Sequence, residues 1–307
     1  MAKRAQAVSV AGRTVELTNL EKLIWPEANV TKADLIHYIF AVSELLLVHL
    51  RDRPLTVTRY PEGIHQEGFY QKDCPGYAPE WIETYPVVSD ERGKVTRYIL
   101  ANDAATLVWL ANQAAIEYHP WMSRVNAPAH PDYVVIDLDP SKGATFAQVK
   151  EVARFVRDAL AALNLQSFPK LSGATGIHVY VPVEPRYTYE TTSAFAGYIG
   201  ELAVRALPAF ATNERLVKNR GRKVYVDHLQ NLPGKTIVAA WSPRPKPGAP
   251  VSVPFDWNEL DEIDPREFTI RRLDAVLARP RDFQHLGRVR QRLEPLFDRF
   301  EHRLRTR

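Results

Sequence analysis

Between Thr31 and Leu50 apolar residues recur at helical spacing. Leu35, Ile36, Ile39, Phe40 and Leu47 form one stripe, with Thr31 as a hydroxyl cap and Asp34 in the first turn, so one helix is expected over 31–50. Short β-branched runs predict strands at 55–60 and 95–100. The alanine-rich segment 104–117 predicts a buried helix, followed by a short stretch around Tyr118-His119-Pro120-Trp121. Tyr133-Val-Val-Ile-Asp137 predicts a strand ending in an acidic turn, Asp137-Leu-Asp-Pro-Ser141. Helices are expected over 145–163 and 190–207, and strands over 177–181 and 223–227. Five prolines at 243, 245, 247, 250 and 254 predict an extended loop, and the chain from about Phe268 reads as helical and basic. Strands and helices interleave without a clean linker before that loop. The expected organisation is one α/β domain over 1–307, with a core at 1–242, the proline-rich loop at 243–254 and a helical basic appendage at 255–307.

Composition narrows the class. With 45% hydrophobic and 25% charged residues in 307, the chain can bury a sizeable core, which excludes disorder, collagen and a small disulfide scaffold. The single Cys74 excludes an intrachain disulfide and a cysteine-based zinc cluster, and fits a reducing compartment. No apolar run of a secretory signal follows the basic start, and the apolar stretch 35–50 contains His37, Ser43, Glu44 and His49 and is too short to span a bilayer. A cytoplasmic chain without membrane contact is expected.

The net charge of +4 hides its distribution. Residues 288–307 hold seven arginines against Glu294, Asp298 and Glu301, and Lys218-Asn-Arg-Gly-Arg-Lys223 adds four more positive charges, so the remainder sums to −4. Concentrated basic charge suits a polyanion partner. A solvated helix face and a mobile loop explain it as well, and from charge alone that plainer reading is slightly ahead.

Asp137 and Asp139 carry the first chemistry. Period-two geometry points residues i and i+2 of a strand the same way, and two hard oxygen ligands suit Mg²⁺ or Mn²⁺. Alternatively, Asp139-Pro140 starts the next helix with a capping carboxylate. Asp227 also ends an apolar strand, and a third converging carboxylate would complete a two-metal site of the kind that aligns an attacking oxygen with a leaving phosphate. In Ser172-Gly-Ala-Thr-Gly-Ile-His178, Gly173 and Gly176 permit a tight turn whose N–H groups can cradle an anion, and Ser172 and Thr175 add hydroxyls. An ordinary hairpin turn accounts for the same glycines. Gly234-Lys-Thr236 is not a P-loop, because position 229 is Leu229, although Lys235 can still reach a phosphate as a point charge. His37 and His49 read as structural or solvated, and no Ser-His-Asp arrangement with a nucleophile elbow is present.

Taken in order, Leu17-Thr-Asn-Leu-Glu-Lys22, Arg59-Tyr-Pro61, Phe69-Tyr-Gln-Lys72, Glu117-Tyr-His119, Val135-Ile-Asp-Leu-Asp-Pro140, Ser172 to His178, Val224-Tyr-Val-Asp227 and Gln230-Asn231 with Lys235-Thr236 form a pattern. It resembles the polymerase domain of the bacterial end-joining ligase D, a branch of the archaeo-eukaryotic primase superfamily, from about Leu17 to Arg244. The resemblance implies an α/β (α+β) catalytic core with RRM-like mixed and antiparallel sheets flanked by helices. It implies a template-dependent nucleotidyltransferase, a DNA polymerase and primase that favours ribonucleotides and fills short gaps or ends in DNA repair. Asp137, Asp139 and Asp227 would hold two divalent ions, Mn²⁺ or Mg²⁺. Ser172, Gly173, Thr175, Gly176, His178, Gln230, Lys235 and Arg244 would hold the nucleotide's phosphates, Phe69 or Tyr70 would stack on its base, and His119 would sit near the sugar. Asn19, Lys22 and Lys32 would grip the 5′-phosphate across a gap. Arg59, Lys72 and the basic loop 213–223, with Lys218, Arg220 and Arg222, would contact DNA.

Implied partners are gapped or broken DNA bearing a 5′-phosphate, ribo- or deoxyribonucleoside triphosphates, a separate ligase and Ku, at the nucleoid. Relatives commonly carry a lysine at position 174 or 175, where this chain has Ala174 and Thr175, so a less positive triphosphate pocket is expected. The chain carries no ligase or nuclease module, as expected of a stand-alone enzyme or an excised domain. Competing readings are an Asp-x-Asp transferase acting on nucleotide sugars, which has no use for Asn19, Lys22, Lys32 or the basic loop, and a non-catalytic DNA-end-binding module.

Overall fold

The computed structural model describes residues 6–88, 93–279 and 281–293. Two compact units divide the chain. One takes the residues up to Asn126 with Ile237–Val253 and Pro265–Arg279, and the other takes Ala127–Thr236, Pro254–Asp264 and the residues from Pro280 onward. The stretch 255–307, expected as one appendage, is thus shared between units, and 294–307 of the basic tail lies outside the described residues.

In the first unit, β1 (Gln6–Val10) and β2 (Arg13–Leu17) form a hairpin, and β3 (Leu23–Trp25) pairs with β4 (Val30–Thr31). Thr31 caps α1 (Lys32–Ala41) through a capping box with Asp34. The single helix expected to Leu50 is broken: α2 (Ser43–Leu50) leaves Val42 at 72° to α1. Leu35, Ile39 and Val42, and then Leu46 and Leu50, are all fully buried, so both shorter helices turn an apolar face to the core.

The strands β5 (Pro54–Arg59), β6 (Phe69–Gln71), β7 (Thr84–Val88) and β8 (Val95–Leu100) make an antiparallel sheet in the order β6-β5-β8-β7. Asp103 caps α3 (Ala104–Asn112). The helix expected to Glu117 stops at Asn112. Ala114 takes a left-handed φ of 57°, and β9 (Ala115–Pro120), which absorbs the Tyr118–Pro120 stretch, is buried against β5. Here the packing of Ile116 and Tyr118 in the sheet outweighs the helix preference of alanine.

The second unit contains β10 (Tyr133–Pro140), α4 (Phe146–Ala161), β11 (Phe168–Leu171), β12 (Ile177–Pro182), α5 (Tyr189–Ala206), β13 (Ala211–Thr212) and β14 (Val224–Asp227). Its sheet runs β11-β12-β10-β14-β13, antiparallel except between β13 and β14. Val134, Ile136, Leu138, Val179 and Val226 are buried, and Gly200 of α5 lies 3.3 Å from the Val226 side chain when given a methyl group, which marks the helix-covered face. Two expectations change. The acidic turn at 137–140 is strand, and Thr145 caps α4, so Asp139 is not a helix cap. The fold is α+β with mostly antiparallel sheets, as the resemblance implied.

Gly176 fixes the start of β12. A methyl group there would run into the Leu138 carbonyl oxygen. Gly176→Ala is expected to lower stability by about 1–3 kcal/mol through this overpacking, read by urea denaturation; an unshifted midpoint would contradict the close approach.

Candidate active site

Strand register assembles the centre of the second unit. His178 pairs with Asp137 across β12 and β10, Asp137 pairs with Asp227 across β10 and β14, and Lys170 of β11 pairs with His178. The row Lys170–His178–Asp137–Asp227 therefore crosses four strands on one face, where directly opposed residues are neighbours. Asp139 lies two residues beyond Asp137 on the same face, opposite Tyr225.

Each carboxylate is turned to a different partner. The Asp137 Oδ1 lies 3.5 Å from His178 Nε2. Asp139 Oδ2 lies 3.6 Å from Arg220 Nη1, and that guanidinium stacks 3.7 Å from the Tyr225 ring centroid. Asp227 accepts from the Leu229 N–H at 2.8 Å, from Gln230 Nε2 at 3.0 Å and from the Tyr225 hydroxyl at 3.3 Å. Burial raises the Asp139 carboxyl above its ordinary range; Arg220 pulls it back, and the Asp227 charge pushes it up. Burial and the Asp227 charge push the Tyr225 phenol up to about 12.

Among the described residues, no three His, Cys, Asp or Glu side chains already form a ligand cage. The donor set nevertheless fits a hard divalent ion: three carboxylates share a face, and Arg220 already places a positive charge beside Asp139. Histidine Nε2 and three aspartates offer no soft ligand, so a thiophilic metal is disfavoured.

The 172–178 segment is the hairpin turn between β11 and β12, with Gly173 at φ 73° and the Ser172 N–H donating to the Gly176 carbonyl. The expected open cradle of amides is changed by Ser172 itself. Its Oγ accepts the N–H of Ala174 at 3.1 Å and of Gly176 at 3.0 Å. Two of the amides counted for a phosphate are thus taken, while Thr175 is exposed at the tip. Lys235 is exposed, as are Lys218 and Arg222, whereas Arg220 is held by the carbonyls of Glu214 and Arg215.

The first unit holds the remaining residues. Asn19, at a left-handed φ of 54°, accepts the Lys22 N–H, and the Lys32 N–H donates to the Lys22 carbonyl, so the three share one turn beside the start of α1. Their heads differ. The Lys22 ammonium pairs with Glu62 at 2.7 Å, while Lys32 is buried and its ammonium donates to the Asn112 carbonyl at 2.9 Å. Phe69 and Tyr70 are exposed aromatics on β6, and Lys72 is exposed just beyond it. Arg59 is engaged internally: it bonds the Gln113 carbonyl, Gln71 and the Tyr77 hydroxyl, with the Phe69 ring centroid 5.3 Å away.

Glu117 is the anchor that sequence reasoning left without a role. Its Oε1 accepts from Arg244 Nε at 2.7 Å, its Oε2 lies 3.3 Å from His119 Nε2, and the Tyr70 ring stands 5.7 Å from the His119 ring. Burial pushes this carboxyl up, yet the His119 hydrogen bond and charge, the Arg244 charge and the Thr58 hydroxyl outweigh it and hold it at about 2. The signal was available: Glu117 and His119 are i and i+2 on a strand and share a face.

Residues 31–284 match the LigD primase-polymerase domain family. The bifunctional non-homologous end joining protein LigD of Bacillus subtilis is 38% identical over 267 residues, covering 86% of this chain and 42% of that protein. The multifunctional non-homologous end joining protein LigD of Mycobacterium bovis is 35% identical over 280 residues, 88% of this chain and 36% of that protein. The chain thus spans about two fifths of the length of these curated relatives. Among solved structures, the polymerase domain of Mycobacterium tuberculosis ligase D in complex with DNA matches with a TM-score of 0.82 and 33% identity, over 90% of this chain and 99% of that one. The family match over most of the chain, together with similarity of this extent to LigD proteins, identifies the chain as a member of the LigD primase-polymerase domain family.

Proposed function

We propose that this chain adds nucleotides, ribonucleotides in preference, to primer ends at short gaps or breaks in DNA, in the end-joining repair for which its relatives are named. The observation that carries the reading is the direct pairing of Asp137 with Asp227, with Asp139 following on the same face. These three would hold two divalent ions, Mn²⁺ or Mg²⁺. When bound, such ions favour ionisation of a primer 3′-hydroxyl and neutralise charge on the triphosphate. The protein's own part is positioning and charge compensation, because phosphoryl transfer asks little covalent chemistry of it.

His178 orients Asp137 from the neighbouring strand. The Ser172 hydroxyl, with Gly173, Thr175, Gln230, Lys235 and Arg244, would bind the nucleotide, while Gly176, whose N–H is bonded to Ser172, would shape the turn that presents them. Glu117 fixes Arg244 and His119, the latter near the sugar, and Phe69 or Tyr70 offers a ring to the base. Asn19, Lys22 and Lys32 would receive a 5′-phosphate. Arg59, Lys72, Lys218, Arg220 and Arg222 would serve the DNA backbone, whose contribution weakens with salt. A separate ligase and Ku are the proposed partners, at the nucleoid in the cytoplasm. No described single helix is long and apolar enough to cross a membrane. No observation favours the nucleotide-sugar or non-catalytic readings.

The test is primer extension on gapped DNA with Mn²⁺, comparing ribo- with deoxyribonucleotides and a 5′-phosphate with a 5′-hydroxyl. Templated addition favouring ribonucleotides is expected, and its absence with every metal and nucleotide would overturn the reading. Lys22→Ala is expected to weaken binding by about tenfold, the loss of roughly one charge-assisted bond, and only when the 5′-phosphate is present. Equal weakening on hydroxyl-ended DNA would mark Lys22 as a general backbone contact.

A further inference from the structure

Asn231 has no role in the assignments above, yet it is fully buried beside the carboxylate centre. Strand β14 stops at Asp227, so nothing on that strand remains to pair with Val135, two residues before Asp137 on β10. The chain instead turns through Leu229–Asn231. The Asn231 carboxamide fills the vacated position. Its Oδ1 accepts the Val135 N–H at 2.8 Å, and its Nδ2 donates to the Val135 carbonyl at 2.7 Å and to the His228 carbonyl at 3.0 Å. Those two bonds with Val135 reproduce the exchange that a hydrogen-bonded pair of antiparallel strand residues would make.

The turn pinned in this way is the one that holds Asp227. Leu229 N–H and Gln230 Nε2 both donate to the Asp227 carboxylate, one to each oxygen. Both donors lie between Asp227 and the pinned Asn231. We propose that Asn231 is a positioning residue for the Asp227 carboxylate: it ties the turn that orients Asp227 to the strand that carries Asp137, and so sets how the two carboxylates face each other. Apolar packing does not supply this link, because a leucine of similar size would leave the Val135 N–H and carbonyl without partners inside the sheet. A carboxamide accepts and donates in one plane on adjacent atoms, which matches the N–H and carbonyl of Val135.

The inference rests on reading Asp227 as a catalytic metal ligand, and three measurements separate the two. The first is binding of Mn²⁺ alone, read from the loss of the free-ion EPR signal without nucleotide or DNA. The second is amide hydrogen exchange at Leu229 in metal-free protein. The third is primer extension as a function of Mn²⁺. Asn231→Ala is expected to weaken Mn²⁺ binding by about 10–100-fold, in the range for groups that orient metal ligands, and to speed Leu229 exchange while distant strands stay protected. Asn231→Asp keeps the size and the bond from Val135 N–H, and is the variant to use if the alanine form does not fold. Its lost donors are expected to weaken Mn²⁺ binding in the same direction. A lowered melting temperature with unchanged Mn²⁺ affinity and unchanged Leu229 exchange would make Asn231 merely structural and overturn the proposal. If Asp227→Ala itself left Mn²⁺ binding and extension intact, the functional reading would fail instead, whatever the Asn231 variants did.

Discussion

Asp137→Ala and Asp227→Ala are each expected to lower primer extension by about 10³-fold or more while leaving DNA binding in place. One preorganised group aimed at developing charge is already worth about 10²–10³ in rate, and under the proposed function each loss would also remove a ligand for the compensating ions. The isosteric Asp227→Asn is the sharper variant. Its amide oxygen can still accept the Leu229 N–H, so the bond to the turn backbone is kept while the charge and the bond from Gln230 are lost. Extension by this variant within about tenfold of the parent would show that the Asp227 charge is not needed, and the assignment of the centre would fall. A gel-shift measurement on the same protein separates lost chemistry from lost binding.

Glu117→Gln is expected to destabilise the first unit and to impair nucleotide use together. Glu117 and Arg244 have side chains only 7% and 19% exposed, so breaking the pair leaves a largely desolvated guanidinium, at a cost of about 3 kcal/mol. The pH dependence follows from the direction of the displacement. The carboxyl is held at about 2 in the folded chain against 4.5 when free, which corresponds to about 3 kcal/mol. That stabilisation is complete above about pH 4.5 and is lost as pH falls toward 2. Urea melts of the parent between pH 6 and pH 3 should therefore show an acid decline that is shallower in Glu117→Gln. Steady-state kinetics should show a raised KM for the triphosphate, since Arg244 loses its orienting partner. A parallel acid decline in both proteins would refute the role given to Glu117.

The candidate metal ligands were legible because strand periodicity alone determines which residues share a face. Asp137 and Asp139 needed only their spacing, whereas Asp227 could be singled out at the end of an apolar run but was set opposite Asp137 only by the register of β14 on β10. What the sequence did not reveal depends on partners distant in the chain. The alanines at 114 and 115 favour a helix locally, yet Ala115 belongs to a strand because β5 offers it a ladder. The break at Val42 was not legible, because the buried positions 35, 39, 42, 46 and 50 keep one helical spacing straight through it. Ser172 looked like one donor among several. Its oxygen proved to close its own turn, which depends on hydrogen-bond geometry that spacing does not encode. Asn231 and Glu117 were part of quoted motifs but lacked a role until their partners at Val135 and Arg244 were seen.

The pairing of Asp137 with Asp227 has a bearing on how such a centre can change over generations. A slip of one residue between β10 and β14 would carry Asp227 into the helix-covered layer and bring Val226 or His228 out in its place. No gradual drift connects the two arrangements, because every intermediate buries a bare carboxylate. Variation in reach or substrate must therefore arise where length is free to change, in the 213–223 loop and at the tip of the Ser172–Gly176 turn.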